Sequence, residues 1–293
     1  MQNNENTVSS GEHKPAWLRT RGILDPIVRK YQKQMDQYEV KTVCKEASCP
    51  NRHECWSQRS FTFILLGEHC TRSCRYCDID TFKPEQVDPH EPANVARFVK
   101  DFNLNHVVLT SVTRDDLEDG GAGHFVKTMQ AVRAVSPDIP IELLIPDFEK
   151  PYLDKIIAEK PDILGHNIET PRRLYRKVRP VFKYDNCLEI LRYIKAKDPK
   201  MLVKSAIIAG MGETKEEIIE TLIDLKKVDC DIVYIGQYIA PSKRHHPVIR
   251  YYTPAEFDEF RTEGEKLGIR SVVSGPMVRS SYKSWEDLKL KQK

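Results

Sequence analysis

The chain has 293 residues, of which 40% are hydrophobic and 30% charged, so it can bury a core and is not intrinsically disordered. Its 46 basic and 43 acidic residues leave a net charge of +3 with the signs interspersed, which excludes a dominant nucleic-acid-binding surface. No run approaches the ~18 apolar residues of a membrane span, and the first fourteen residues are too polar for a secretory presequence. We therefore expect a cytoplasmic protein with no membrane partner, whose clustered cysteines bind metal or carry out redox chemistry.

Seven apolar, β-rich runs follow a cysteine-bearing extension over residues 1–60. Continuous apolar runs of this length are typical of strands that are buried on both faces. The predicted strands are 61–66, 106–112, 140–145, 163–169, 201–208, 232–239 and 271–274.

Amphipathic segments alternate with these strands, and Pro92 and Pro254 suit the first turns of two of them. The predicted helices are 92–101, 123–135, 186–197, 213–227 and 254–267. Repeated strand–helix–strand units predict an α/β fold, a partial (β/α)6-type parallel barrel with an N-terminal cysteine-bearing extension and a C-terminal extension. We expect the extension to cover residues 1–60, the barrel 61–276 and the C-terminal segment 277–293.

Six of the eight cysteines form two triplets near the start of the barrel. The first triplet, Cys70, Cys74 and Cys77, has the spacing C-x3-C-x2-C and directly follows the first predicted strand. Barrel active sites lie at that end of the strands. Three neighbouring thiolates suit three irons of a four-iron, four-sulfur cluster and leave the fourth iron open for a substrate or cofactor. A structural zinc site is the alternative, although zinc sites usually pair thiols as C-x2-C.

The first triplet, with an aromatic residue at Tyr76, resembles the motif of the radical S-adenosylmethionine superfamily. In that superfamily the open iron binds S-adenosylmethionine, whose reductive cleavage gives a 5′-deoxyadenosyl radical. The resemblance implies that Cys70, Cys74 and Cys77 are catalytic cluster ligands and that Tyr76 lies near the adenine.

The second triplet, Cys44, Cys49 and Cys55, has the spacing C-x4-C-x5-C and ends in Cys55-Trp56. It again offers three ligands, with a zinc site completed by His53 or by a distant residue as the alternative. This run closely resembles the auxiliary-cluster motif of the lipoyl synthase family. Further segments resemble that family along most of residues 14–282, among them KPAWLR, TSVTRDDLEDGGAGHF, GHNIET, KSAIIAGMGET and SGPMVRSSY.

The family resemblance implies a sulfurtransferase (EC 2.8.1.8) of lipoate biosynthesis with two [4Fe-4S] clusters and S-adenosylmethionine. Sulfur from the auxiliary cluster would be inserted at carbons 6 and 8 of a protein-bound octanoyl-lysine. The fourth auxiliary ligand, also counted as catalytic, would be Ser281 of the Arg279–Tyr282 motif, with Ser280 as the alternative. An alkoxide is a hard, labile partner for a soft iron-sulfur site.

Further residues at strand ends are candidates for binding S-adenosylmethionine. Asn167 and Glu169 end the fourth predicted strand, where the superfamily places polar contacts. Residues 206–213 resemble the superfamily's G-x-I-x-G-x-x-E element and retain Ile208 and Gly210, but Ala206 replaces the usual glycine. An ordinary strand end is the alternative reading of that element.

The resemblance also implies protein partners. These are an octanoylated lipoyl carrier domain of the 2-oxoacid dehydrogenase E2 or glycine cleavage H protein type, an electron donor such as ferredoxin or flavodoxin, and an iron-sulfur carrier that rebuilds the auxiliary cluster. Two other interpretations are another radical enzyme, of methylthio-transferring or biotin-forming type, and a non-catalytic iron-sulfur or zinc module. The former would lack the second triplet and the Arg-Ser-Ser-Tyr ending.

Four residues outside these motifs are expected to have ordinary roles. Cys187 and Cys230 stand alone and are predicted to be packing thiols. Lys204 and Arg250 are single basic residues and are predicted to lie on solvated faces.

Overall fold

The computed structural model describes residues 14–19 and 26–292 of the chain. The polar run that was considered as a presequence lies largely outside these residues. A short 3-10 helix (Ala16–Leu18) and three α-helices precede the sheet: α1 (Pro26–Tyr38), α2 (Val43–Glu46) and α3 (Arg52–Ser57). Helices α2 and α3 carry Cys44 and Cys55, and the turn between them carries Cys49.

The centre of the fold is a parallel sheet whose seven strands pair in sequence order without closing into a full barrel among the described residues. The strands are β1 (Phe61–Leu65), β2 (Val107–Ser111), β3 (Ile141–Leu144), β4 (Ile163–Gly165), β5 (Leu202–Ala209), β6 (Ile232–Gln237) and β7 (Ser271–Gly275). Most of their side chains are buried on both faces, as expected for a parallel sheet under helices. The predicted partial parallel barrel is confirmed, with a seventh strand after the sixth crossover.

Each crossover between neighbouring strands contains at least one helix. These helices are α4 (Glu91–Asp101), α5 (Ala122–Val135), α6 (Lys150–Ala158), α7 (Tyr175–Val178), α8 (Tyr184–Lys197), α9 (Lys215–Lys227) and α10 (Pro254–Lys266). Thr214 and Thr253 begin α9 and α10 with reciprocal capping boxes, which satisfy amide groups that have no partner within the helix. Helix α6 was not predicted from the sequence. No helix in the described part of the chain has the length and apolar character to cross a membrane.

The two ends of the barrel interior differ. The amino end is closed by a C-terminal 3-10 helix (Ser284–Gln292), whose Asp287 lies 3.2 Å from the Lys204 ammonium and accepts a 2.8 Å hydrogen bond from Tyr234. Lys204 also pairs with Glu142 at 3.0 Å and is only 2% exposed. The expectation of a solvated Lys204 was therefore wrong, because its strand position points it into the closed end of the barrel. The carboxyl end opens into a cavity.

Candidate functional site

A cavity of about 660 Å³ lies at the carboxyl end of the strands and is bordered by both cysteine triplets. Five cysteines line it directly, and Cys55 packs behind them in the core. All eight cysteines are free thiols. The predicted cofactor-binding residues Tyr76, Asn167, Glu169 and Ile208 also line the cavity, whereas Gly210 does not. The fold therefore brings together two groups of thiols that are separated in sequence by β1.

The first triplet lies on the loop that follows β1, and neighbouring loops hold this loop in place. The amide of Cys70 donates to the Asp80 carbonyl at 2.9 Å, and the Cys70 thiol accepts from the amide of Thr113 at 3.3 Å. The amide of Cys77 donates to the Cys74 carbonyl at 3.1 Å. These contacts fix the loop so that its three thiols face the cavity.

Burial shapes the acidity of these thiols. Burial raises the pKa of Cys74 to about 11, although the nearby Arg179 guanidinium opposes the shift. It raises the pKa of Cys77 to about 12, against the lowering effect of a hydrogen bond from the Ile79 backbone. Without metal these thiols hold their protons, so binding of iron must displace protons. A group of neighbouring half-buried thiols fits an iron-sulfur cluster by the chemistry of its donors.

Polar groups at the end of β4 form the adjacent wall. The Asn167 amide donates to the Glu169 carboxylate at 3.0 Å. Glu169 has a positive φ of 67° and is held there by two backbone bonds to β5, one to Ala206 and one from Ile208. A non-glycine residue in this conformation stores strain, which often marks a functional site. Burial raises the pKa of Glu169, and Arg179 opposes that shift.

The region around Gly210 explains why a glycine stands there. Gly210 has a φ of 111°, and a Cβ atom would lie 2.6 Å from the Arg250 carbonyl oxygen. Its amide and that of Met211 both donate to the Glu213 carboxylate. Glycine is therefore required for the turn after β5 to pass close to a neighbouring loop. Its role in binding S-adenosylmethionine stays a prediction. Arg250 pairs with Glu256 and is not simply solvated.

Two arginines in the cavity wall were not identified from the sequence. Arg179 is buried, donates to the Asn167 carbonyl at 2.9 Å and lies 3.7 Å from the centre of the Phe182 ring. Its Nε has no hydrogen-bond partner among the described residues. Arg72 lies between the first two cysteines of the motif and pairs with Asp115 and Asp147. In the sequence Arg179 is one of five basic residues between positions 172 and 179, and nothing distinguishes it from its exposed neighbours.

Cys187 is buried as expected, but it is also part of a polar cluster. Its sulfur accepts hydrogen bonds from Tyr175 at 3.2 Å and from Arg179 at 3.4 Å. Although burial acts to raise its pKa, His166 and Arg179 outweigh that effect and lower it. Asp147, His166 and Cys187 have ligand atoms within 4.8 Å of one another. Arg72 pairs with Asp147, and Tyr175 and Arg179 donate to Cys187, so these contacts stabilise the cavity wall. Asp147 Oδ1 and His166 Nε2 have no hydrogen-bond partner among the described residues.

The second triplet lies opposite, where α2 and α3 pack on β1. Thr42 caps α2, and the amide of Cys49 donates to the Cys44 carbonyl at 3.1 Å. Burial, reinforced by Cys49, raises the pKa of Cys44 to about 12. Burial also raises the pKa of Cys55, with Cys44 and Cys49 adding to the shift. Cys49 affects the pKa of Cys44, and both affect that of Cys55, so the three thiols are close enough to interact electrostatically.

Ser281 lies beside this second triplet. The Thr62 hydroxyl donates to the Ser281 hydroxyl at 2.8 Å, and Ser281 lines the same cavity as Cys44 and Cys49. Ser280 lines the same cavity. The C-terminal segment that carries both serines is attached to the second triplet, since Asn51 donates to the Met277 carbonyl at 2.7 Å and Tyr282 donates to Glu54.

A glycine allows the C-terminal segment to cross the sheet. At Gly236 on β6, a Cβ atom would lie 2.0 Å from the Val278 carbonyl oxygen. Only glycine permits this approach, because any side chain would displace the backbone that precedes the two serines.

Comparisons with known proteins agree on one family. The family model described as "Radical SAM superfamily" matches residues 64–225. The chain is 47% identical over 274 residues to the lipoyl synthase of Flavobacterium psychrophilum, covering 92% of this chain and 93% of that one. It is 49% identical to the lipoyl synthase of Chlorobium phaeobacteroides, with coverage of 92% and 94%. The lipoyl synthase of Caldicellulosiruptor saccharolyticus is 44% identical, with coverage of 94% and 98%.

Solved structures resemble the fold at low sequence identity. Methylornithine synthase (PylB) matches with a TM-score of 0.56 at 18% identity, covering 72% of this chain and 69% of that one. The [FeFe]-hydrogenase maturase HydG matches with a TM-score of 0.56 at 12% identity, with coverage of 78% and 62%. At these identities the similarity supports the fold alone.

Proposed function

The chain belongs to the lipoyl synthase family of radical S-adenosylmethionine enzymes, and from that membership we infer a sulfurtransferase that uses two [4Fe-4S] clusters and S-adenosylmethionine. Its reaction inserts sulfur at carbons 6 and 8 of an octanoyl-lysine on a carrier protein. The observation that carries this proposal is that both cysteine triplets border one cavity of about 660 Å³.

The two cofactor sites supply different chemistry when loaded: the first gives reductive cleavage of S-adenosylmethionine and hydrogen removal, and the second gives the sulfur. The chain's own residues bind and orient these groups. Cys70, Cys74 and Cys77 would hold the first cluster, and as only three thiols face it, one iron is left for S-adenosylmethionine. A zinc module does not explain why both triplets face a common cavity.

Residues in the wall beside the first triplet would orient S-adenosylmethionine. Asn167 and Glu169 offer an amide and a carboxylate to its polar groups, and Tyr76 and Ile208 offer apolar surface. Because these side chains line the cavity, the acyl chain and the nucleoside would be shielded from water there. Gly210 would contribute by allowing the turn after β5 to close on the cavity.

Cys44, Cys49, Cys55 and Ser281 would hold the auxiliary cluster. The Thr62 hydrogen bond would orient the Ser281 hydroxyl in the cavity wall that Cys44 and Cys49 also line. Each part of the chain would have its own role in the reaction. Residues 1–60 carry the auxiliary thiols, residues 61–276 form the radical barrel, and residues 277–293 contain the serine.

The family implies a lipoyl carrier protein as the substrate. We propose a domain of the 2-oxoacid dehydrogenase E2 or H protein type, together with a ferredoxin- or flavodoxin-type donor and an iron-sulfur carrier that rebuilds the auxiliary cluster. Six clustered reduced thiols favour the cytosol as the compartment.

An anaerobic reaction tests this function. Reconstituted protein, dithionite and S-adenosylmethionine are mixed with an octanoyl-lysyl peptide, and mass spectrometry follows the peptide and 5′-deoxyadenosine. We expect a peptide that has gained two sulfur atoms. Formation of 5′-deoxyadenosine with an unchanged peptide would contradict the substrate assignment. Absence of both, together with a cluster spectrum that S-adenosylmethionine does not perturb, would contradict the radical function.

A further inference from the structure

Five exposed cations surround the outside of the loop that carries the first triplet. This cluster-loop patch consists of Arg75, Arg176, Lys177, Lys243 and Arg244, all of which are exposed. None of the five side chains forms an ion pair, hydrogen bond or cation–π contact with a residue that the structure describes. The neighbouring exposed Arg172 and Arg173, by contrast, are paired with carboxylates.

Backbone hydrogen bonds join the three segments of the patch. The amide of Arg75 donates to the Val178 carbonyl at 2.9 Å, and the amide of His246 donates to the Arg75 carbonyl at 2.7 Å. His245 also contacts the Cys77 carbonyl at 3.0 Å. Because Arg176 and Lys177 immediately precede Val178, and Lys243 and Arg244 immediately precede His245, the five cationic residues belong to three segments that meet at the cluster loop.

The patch faces away from the cavity. Cys74, Tyr76 and Cys77 line the cavity, whereas Arg75, between them in sequence, does not, and neither do the other four cations. The loop is therefore a thin wall, with the cluster ligands on its inner side and the patch on its outer side. The carrier's acyl chain needs the inner side.

The patch is a local concentration of charge in a nearly neutral protein. Segments 74–77, 175–178 and 242–246 contain all five cations and no acidic residue, although the whole chain has a net charge of only +3. Five uncompensated like charges repel one another and weaken the folded state. Such a cost is understandable where the surface meets a partner of opposite charge, since complementary charge accelerates and orients association.

We propose that the cluster-loop patch docks an acidic one-electron donor protein, so that the donor's redox centre lies directly behind Cys70, Cys74 and Cys77. The proposal rests on the proposed function, because each S-adenosylmethionine cleaved takes up one electron, which the donor gives up as it is oxidised. The carbon–sulfur bond to the adenosyl group breaks, and methionine leaves. Docking on the outer side leaves the cavity free for the carrier, so both partners can be bound at once.

The test combines binding with a comparison of reductants. A Lys177→Glu/Lys243→Glu variant reverses the charge at one position in each of two segments of the patch. Neither residue lines the cavity. The control, Lys100→Glu/Lys127→Glu, makes the same charge change at exposed lysines on α4 and α5. The probe is an acidic flavodoxin, whose affinity is measured by calorimetry at several salt concentrations. We expect the patch variant to bind about tenfold or more weakly and with a shallower salt dependence, and the control to match the wild type.

The second readout is the rate of 5′-deoxyadenosine formation. With reduced flavodoxin as donor, the patch variant should be about tenfold slower than the control, whereas with dithionite, which needs no docking surface, the two should be equal. Equal flavodoxin affinity in both variants would overturn the proposal, and so would a higher KM for the octanoyl carrier in place of weaker flavodoxin binding. If flavodoxin binds at the patch but neither reductant supports cleavage in the wild type, the proposed function fails and the docking surface stands.

Discussion

Thr62, on β1, contacts the C-terminal segment that carries the candidate fourth ligand Ser281. Its hydroxyl donates to Ser281 at 2.8 Å, and both residues line the cavity that Cys44 and Cys49 also border, so an interior position of β1 holds the serine on the same cavity wall as the second triplet. Neighbouring Ser280 lines the cavity without forming this bond. The two serines therefore offer a matched comparison for the identity of the fourth ligand.

We predict that Ser281→Ala lowers sulfur insertion by at least about tenfold, as loss of an oriented ligand does at other metal sites, while Ser280→Ala retains most of the activity. Both variants should cleave S-adenosylmethionine, since the first triplet is intact. Product mass and Mössbauer spectra of the auxiliary cluster provide the measurement. If Ser280→Ala lost sulfur insertion and Ser281→Ala retained it, the fourth ligand would be Ser280.

The two triplets should also be separable by single cysteine substitutions. We predict that Cys70→Ala abolishes formation of 5′-deoxyadenosine, whereas Cys49→Ala retains it and stops sulfur insertion. Each variant should lose about four of the irons of the fully loaded protein. Chromatography of the nucleoside and iron analysis measure the two effects. Equal loss of cleavage in both variants would contradict the division of labour.

At the scale of elements, the C-terminal 3-10 helix depends on a buried ion pair. Asp287 reaches Lys204 and Tyr234 inside the closed end of the barrel, and Leu288 and Leu290 pack against the apolar side chains there. Since residues 279–282 lead directly into this helix, the anchor at Asp287 helps to hold Ser281 at the other end of the segment.

We predict that Lys204→Met lowers the free energy of unfolding by about 3–5 kcal/mol, because it leaves the Glu142 and Asp287 carboxylates buried without their cation. Lys289→Met, at an exposed position of the same 3-10 helix, should change stability by less than about 0.5 kcal/mol. Urea unfolding of both variants provides the test. Similar stability in the two would show that the buried pair does not hold the segment.

At the scale of the whole molecule, stability should depend on pH through the closed end of the barrel. Burial, helped by Lys204, lowers the pKa of His106 from 6.5 to about 3. Below pH 6.5 His106 binds a proton in the unfolded chain but stays neutral in the folded protein. The free energy of unfolding therefore decreases as the pH falls from 6.5 toward 3. At pH 5 the loss is about 2 kcal/mol.

A His106→Leu variant isolates this effect. The drop in unfolding free energy between pH 7 and pH 5 should be smaller in the variant than in the wild type by about 2 kcal/mol. Chemical denaturation at the two pH values measures the difference. An identical drop in both proteins would mean that His106 takes up its proton in the folded state.

The sequence predicted those parts of the molecule that depend on local pattern. All seven strands were identified from apolar runs, and the two capping threonines lie where two helices were expected to begin. The site residues of the cysteine motifs followed from spacing and family resemblance. Tertiary contacts were not predictable: Arg179 and Lys204 look like ordinary basic residues in the sequence, and only the sheet register and the crossover loops bury them.

Assignments such as the Ser281 ligand remain proposals because they depend on long-range contacts, which residue spacing in the sequence does not predict. Ser281 is 219 residues from Thr62, and no local pattern relates them. Helix α6 was missed because its sequence begins with a lysine and a proline after a short loop and lacks a capping residue that bonds to it. Long-range pairing thus determines both the auxiliary site and the closed end of the barrel.

The central claim is that the inserted sulfur comes from the auxiliary cluster held by the second triplet, and that the octanoyl substrate is activated by chemistry at the first triplet. Protein reconstituted with iron and sulfide labelled with sulfur-34 would be freed of excess sulfide and given one equivalent of octanoyl-lysyl peptide with S-adenosylmethionine and dithionite. We predict lipoyl peptide that carries two heavy sulfur atoms in the wild type and no sulfur in Cys49→Ala. Wild-type product with sulfur of natural abundance, or labelled product from Cys49→Ala, would contradict the account.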